Sequence, residues 1–86
     1  MGDHAMTTKQ ALKKAVGIWG KTAMVEDHKK PTTTKRKDGR TVVLAERYRV
    51  GKVMFGMFFE VKGDGDTWEA AFASAERREE RWKQKQ

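Results

Sequence analysis

The chain is short and strongly basic, with 86 residues and a net charge of +7 at pH 7. A chain of this length forms one small domain that buries only about 60–65% of its unfolded surface, which argues against a large enzyme with an enclosed pocket. Leu, Ile, Val and Phe together supply only 14 residues, so the three Trp and five Met must supply much of the core. The charge favours a polyanionic partner such as nucleic acid or an acidic protein surface.

The composition also limits chemistry and location. Cysteine is absent, which excludes disulfides, thiolate metal sites and cysteine nucleophiles. The longest apolar stretch, Val53 to Phe59, has seven residues and is too short to span a membrane. We therefore expect a soluble cytoplasmic protein with no membrane partner. Residues 1–5 precede a second Met and are interpreted as a cloning remnant, which leaves residues 6–86 as a single domain.

The first element is a predicted helix over residues 8–19. Thr7 or Thr8 can cap its first turn, Gln10 completes a capping pattern with Thr7, and four apolar residues then fall on one face. Gly20 supplies the left-handed position that commonly ends a helix. The weak alternation from Lys21 to Asp27 predicts a short edge strand.

A basic segment follows, from His28 to Arg40. It has no large apolar residue, contains the only Pro, and is expected to be a mobile, solvated loop over residues 28–40. A long loop of this charge is suited to contact phosphates or an acidic surface, although a disordered tip that only aids solubility stays a second interpretation. The candidate nucleic-acid-binding residues of this loop are Lys29, Lys30, Lys35, Arg36, Lys37 and Arg40.

The middle of the chain predicts two further strands. The Asp38-Gly39 pair indicates a turn before a β-branched strand over Thr41 to Val50. Gly51-Lys52 then makes a two-residue hairpin plausible. The run from Val53 to Val61 is too apolar to alternate cleanly, which predicts a central strand covered on both faces.

One face of this sheet is a second candidate binding surface. If Tyr48 and Val50 face the helices, alternate residues of the same strand face away from them. A surface that combines arginines with an aromatic ring can stack a base or enter a groove. The alternatives are that its apolar residues belong to the core or to a homodimer interface. The residues expected on this face are Arg47, Arg49, Met54 and Phe58.

The last element is a predicted helix that begins after Gly63-Asp64-Gly65. Asp66 is expected to cap it, with Glu69 closing a capping box. Apolar residues at helical spacing trace one side, which ends at Trp82, and we expect fraying near Lys85. The predicted fold class is therefore α+β, in the order α-β-β-β-α, with both helices packed on one face of a three-stranded antiparallel sheet.

Catalytic and metal-binding residue types are scarce. There are two His, and His28 beside two lysines is interpreted as an ordinary loop residue. Asp64 and Asp66 flank a Gly, but they lack the further oxygens of a calcium loop. We therefore expect a protein that is not an enzyme and that has no cofactor and no metal site.

The element order and the motif Val61-x-Gly63-x-Gly65-x-Thr67-x-x-x-Ala71-x-x-x-Ala75 resemble the double-stranded-RNA-binding domain. In that family a Lys cluster at the start of the last helix contacts the phosphates. This chain has Asp66-Thr67-Trp68-Glu69 there, so the resemblance implies fold more than function. The segment from Gly39 to Ala75 is also similar to the arm-binding domain of phage integrases, which lays its sheet in the DNA major groove.

These observations predict a small nucleic-acid-binding protein, with DNA favoured over RNA. Its length and charge suit an accessory protein of a phage or mobile element. The alternative is a protein-interaction role, such as an inhibitor that binds a host protein or another acidic protein partner. The sequence leaves both a monomer and a homodimer through the apolar central strand open.

Overall fold

The structure, a computed structural model, describes residues 6–84 and shows an α+β fold there. The predicted cloning remnant and the expected fraying near Lys85 lie outside the described residues. The described elements are two helices, a short 3₁₀ turn and five strands. In chain order they are α1 (Thr8–Trp19), the 3₁₀ turn (Gly20–Thr22), β1 (Ala23–Asp27), β2 (Thr32–Lys35), β3 (Thr41–Ala45), β4 (Tyr48–Met54), β5 (Phe58–Gly65) and α2 (Trp68–Gln84).

The strands form two antiparallel sheets, so the prediction of a single three-stranded sheet is wrong. One sheet has the order β1-β4-β5, and the other is a two-stranded ribbon of β2 and β3. The predicted strand over 41–50 is divided at Glu46 and Arg47, between β3 and β4. The backbone N–H of Glu46 donates to the Asp64 carboxylate at 2.7 Å, so a side chain takes the place of a ladder partner at this break.

The turn between the last two strands lies later than predicted. Gly51 is inside β4, at an irregularity in its pairing with β5. Glycine is needed there because any side chain would collide with the backbone of Glu60. The reversal occurs instead at Phe55 and Gly56, which both have positive φ, as in a type I′ hairpin turn. The predicted strand over 53–61 is therefore a hairpin. The central strand of the sheet is β4, whereas β5 lies at its edge, so the prediction of a central strand over 53–61 is wrong.

The core is small and lies between the helices and one face of the three-stranded sheet. Val50 is fully buried, and Tyr48 on the same strand packs on the Trp68 ring at 4.6 Å between centroids. Phe72 stacks on Trp19, which brings the two helices together. The buried apolar residues form one cluster of Ala11, Ala15, Val50, Trp68, Ala71, Phe72 and Ala75.

The helix ends follow the sequence closely at α1 and less closely at α2. Thr7 and Gln10 form the predicted capping box. In α2 the capping hydroxyl belongs to Thr67, which accepts from the Ala70 N–H at 2.9 Å, so the prediction of Asp66 as the cap is wrong. Trp82 is 60% exposed, so the apolar side that the sequence traces along α2 is not buried at its last turns.

Candidate nucleic-acid interface

The basic segment folds into the tip and one strand of the β2–β3 ribbon, which we call the basic ribbon (residues 32–45). Segment 28–40 therefore contains a strand, β2, where a loop was predicted, and every residue in it is exposed. The three consecutive Thr suit a strand because β-branched side chains pack well on a pleated surface. Lys35 pairs with Thr41 at the last rung before the turn.

The turn of the basic ribbon is a compact five-residue loop over residues 36–40. The Arg36 N–H donates to the Arg40 carbonyl at 2.8 Å, and the Gly39 N–H donates to the Arg36 carbonyl at 2.9 Å. Asp38 accepts from the Arg40 N–H, and Gly39 takes the positive φ that this turn requires. The predicted Asp38-Gly39 turn is confirmed, and it places the neighbouring basic residues at the tip of the ribbon.

Four of the predicted basic residues lie together at this tip: Lys35, Arg36, Lys37 and Arg40. Arg40 approaches Asp38 at 3.8 Å, but its side chain is 80% exposed, so this surface pair is weak. Among residues 6–84, no ion pair is formed by the other three. The tip is therefore a concentrated positive charge, and the weak contact with Asp38 is the only ion pair that its basic residues form within residues 6–84.

The other two basic residues of the predicted loop, Lys29 and Lys30, lie at the base of the ribbon. Lys29 has a φ of 69°, and its backbone N–H donates to the Asp27 carboxylate at 2.9 Å. This tight turn separates β1 from β2 and redirects the chain into the ribbon. Both lysines are exposed there, at a different position from the tip.

Arg47 is used inside the molecule. Its guanidinium donates to both carboxylate oxygens of Asp27, at 2.7 and 3.0 Å, and lies over the Tyr48 ring. This hydrogen-bonded ion pair holds the pKa of Asp27 well below its usual range and raises the pKa of Arg47. A guanidinium held by a bidentate carboxylate is not free to bind a phosphate. Arg47 instead joins the end of β1 to the start of β4 at the base of the ribbon.

Arg49 forms a second brace at the same place. As predicted, it lies on the sheet face opposite Val50. In the strand register it stands between Glu26 of β1 and Asp64 of β5. Its guanidinium donates to the Glu46 carbonyl at 2.9 Å and to the Thr32 hydroxyl at 2.7 Å. Arg49 thereby ties the first residue of the basic ribbon to the three-stranded sheet.

His28 belongs to this brace, a role that its sequence context does not indicate. Its Nε2 lies 2.6 Å from a Glu26 carboxylate oxygen and 3.3 Å from the Arg49 guanidinium. His28 and Arg49 are 21 residues apart in the chain, so no local spacing marks their contact. The brace anchors the basic ribbon at its base and leaves its tip exposed.

The predicted apolar residues of the open face lie at the other end of β4. Met54 and Phe58 pair across the hairpin, and Phe58 is 62% exposed. Phe55 and Met57, which were not predicted to be exposed, lie in the turn itself and are 85% and 73% exposed. The structure therefore separates the apolar candidates from the basic candidates.

The carboxylate and imidazole groups of the described residues are dispersed over the fold. Within residues 6–84, no three His, Cys, Asp or Glu side chains lie close enough together to hold a metal ion. Asp64, one of the two carboxylates considered for calcium, accepts hydrogen bonds from the Glu46 N–H and the Arg78 guanidinium. In this part of the chain there is also no helix that is both long and apolar enough to cross a membrane.

Comparison of the chain with protein-family models, with curated proteins and with solved structures finds no match.

Proposed function

We propose that this protein binds duplex DNA, without catalysis, through the basic ribbon. The observation that carries the proposal is the tip of that ribbon, where Lys35, Arg36, Lys37 and Arg40 are exposed on a two-stranded support. Neutralisation of phosphates by such residues and the release of their counterions supply most of the affinity of proteins of this kind for DNA. Arg47 and Arg49 act as supports in this proposal, since their guanidinium groups are occupied.

The shape of the ribbon favours DNA over RNA. The major groove of B-form DNA is about 12 Å wide and admits a two-stranded β-ribbon. The major groove of an A-form RNA duplex is too narrow for side chains to read. Thr33 and Thr34 are exposed on β2 and add hydroxyl donors for phosphate oxygens beside the basic tip.

The brace at the base supports the same proposal. A flexible basic segment loses conformational entropy when it is ordered on a phosphate backbone, and this loss opposes binding. Contacts of Asp27 with Arg47 and of Thr32 with Arg49 hold the base of the ribbon before any ligand arrives. The tip is thereby presented in one direction at a lower entropic cost.

The test is a comparison of two triple variants that lose the same charge. The ribbon variant carries Lys35→Ala, Arg36→Ala and Lys37→Ala, and the control carries Lys9→Ala, Lys13→Ala and Arg77→Ala on exposed helix positions. If each lost phosphate contact costs roughly 1 kcal/mol, the ribbon variant should bind a labelled DNA duplex about 100-fold more weakly. Fluorescence anisotropy measures both affinities. Equal losses in the two variants would show that only net charge matters and would contradict a ribbon interface.

A protein-binding function is the second candidate, and the exposed hairpin around Phe55 favours it. Phe58 is largely exposed, so Phe58→Ser should leave the fold intact. If a protein partner covers this hairpin, Phe58→Ser should abolish binding to that partner while the ribbon variant retains it. Circular dichroism establishes that each variant is folded before binding is compared. If the ribbon variant loses binding and Phe58→Ser retains it, the result supports DNA binding as the function.

A further inference from the structure

The monomer exposes more surface than a compact protein of its size. A compact 9.9 kDa monomer exposes about 5,200 Å² by the usual scaling with mass, whereas this chain exposes 6721 Å². Of the seven buried apolar residues, four are alanines, so the core supplies little hydrophobic stabilisation. The exposed basic ribbon accounts for part of this surface, and large exposed apolar side chains account for another part.

Much of the exposed apolar surface lies at the turn of the β4–β5 hairpin. Phe55, Met57 and Phe58 follow one another closely there, and each is more than three-fifths exposed. Phe55 holds a positive φ of 56°, a conformation that is costly for a bulky residue. Together these side chains form a projecting apolar knob, which we define as residues 55, 57 and 58.

A groove lies near the same end of the sheet. Its apolar lining includes Ile18 and Trp19 from the end of α1, Val61 from β5 and Trp82 from α2, and its volume is about 800 Å³. Lys52, which also lines the groove, is three residues before the turn, so the groove and the knob belong to one end of the molecule. Ile18 and Trp82 are 51% and 60% exposed in it.

The charges around the groove are self-complementary. One wall is basic, with Lys14 from α1 and Lys52 and Lys62 from the sheet, of which Lys62 is paired with Glu60 at 3.1 Å. The facing wall is α2, which contributes Glu69, Glu76 and Glu79 together with Arg78. The Arg78 guanidinium is paired with Asp64, and Glu79 approaches Lys83 at 3.9 Å in a weak surface pair. If the two-fold axis of an isologous dimer runs along the groove, between its two walls, the basic wall of each copy faces the acidic wall of the other.

We propose that two copies of this chain associate through this end, with the knob of each copy against the groove of the other. The net charge of +7 opposes self-association over most of the surface. This end is close to neutral, and the basic ribbon is attached at the other end of β4, beyond Tyr48. A contact here therefore keeps the two basic ribbons away from the interface.

Sedimentation velocity of the protein alone, over a concentration series into the hundreds of micromolar, tests the proposal. The wild-type chain should pass from monomer to dimer, and Phe55→Asn and Trp82→Ala should each weaken dimerisation at least about tenfold. Asn suits the left-handed position at 55, so this variant keeps the turn. Leu44→Asn is the control, because it removes an exposed apolar side chain from the ribbon. A wild-type chain that stays monomeric throughout, or dimers that Phe55→Asn leaves unchanged, would overturn the proposal.

A charge exchange separates this interface from general stickiness. Lys52→Glu and Glu79→Lys should each weaken self-association, because like charges then face each other across the two-fold axis. An equal mixture of the two variants should restore association as a heterodimer, since each reversed charge meets its opposite. If the mixture associates no better than either variant alone, the proposed pairing of walls is wrong. Nucleic acid is absent from these experiments, so their outcome is independent of the proposed DNA binding.

Discussion

At the scale of single residues, Asp27 shows how the base of the basic ribbon is held. Its carboxylate accepts two hydrogen bonds from Arg47 and one from the Lys29 backbone, which lowers its pKa. A carboxyl group with a lowered folded-state pKa stabilises the fold above its unfolded pKa, about 4. That stabilisation is lost progressively as the pH falls from there toward the folded-state value.

Asp27→Asn should therefore lower the free energy of unfolding at pH 7, and the difference from wild type should shrink below about pH 4. Urea denaturation of both proteins at a series of pH values measures this difference. A difference that stays constant down to about pH 2 would show that the ionised carboxylate is not the cause.

Phe55 is a residue whose backbone conformation opposes its own side chain. Replacement by Asn, which tolerates the left-handed region, should raise the stability of the monomer by about 1 kcal/mol. Thermal unfolding at low protein concentration measures the change. Met57→Asn removes a comparable exposed side chain from a position that does not have a positive φ, unlike Phe55 and Gly56, and should give no such gain. An equal gain in both variants would show that strain at Phe55 is not its source.

At the scale of elements, the contact of α2 with β5 depends on glycine. A Cβ added at Gly63 would collide with the backbone of Ala71 and Ala75, so the helix could not lie at its present distance from the strand. Gly63→Ala should cost about 3 kcal/mol of stability, as overpacking against backbone does. Gly17 on α1 has open space around its Cβ position, and Gly17→Ala should stabilise the protein by about 0.5–1 kcal/mol. Chemical denaturation compares the two, and a neutral Gly63→Ala would contradict this packing.

The elements also show which sequence signals were sufficient. The helix over 8–19 and the turn at Asp38-Gly39 depend on local capping and turn chemistry, so they were predictable. Gly51 and Gly56 were not distinguishable, because a glycine needed for close backbone approach and one needed for a positive φ look the same in sequence. The roles of Arg47 and Arg49 depend on Asp27 and Thr32, which are distant in the chain, and only the fold brings them together.

At the scale of the whole molecule, the two candidate surfaces lie toward opposite ends of β4. The basic ribbon connects beyond Tyr48, and the apolar hairpin turn follows Met54. A protein with this arrangement can contact a polyanion at one end while the other end binds protein. The two surfaces can therefore be tested separately, since a variant in one leaves the other in place.

The salt dependence of DNA binding tests the ribbon interface most directly. If the ribbon and its base contact five or six phosphates, the logarithm of the affinity for a DNA duplex should fall against the logarithm of salt concentration with a slope of roughly −5. The variant with Lys35→Ala, Arg36→Ala and Lys37→Ala should reduce that slope to about −2, because it loses three contacts. A flat slope for the wild-type chain, or no binding at low salt, would contradict the account.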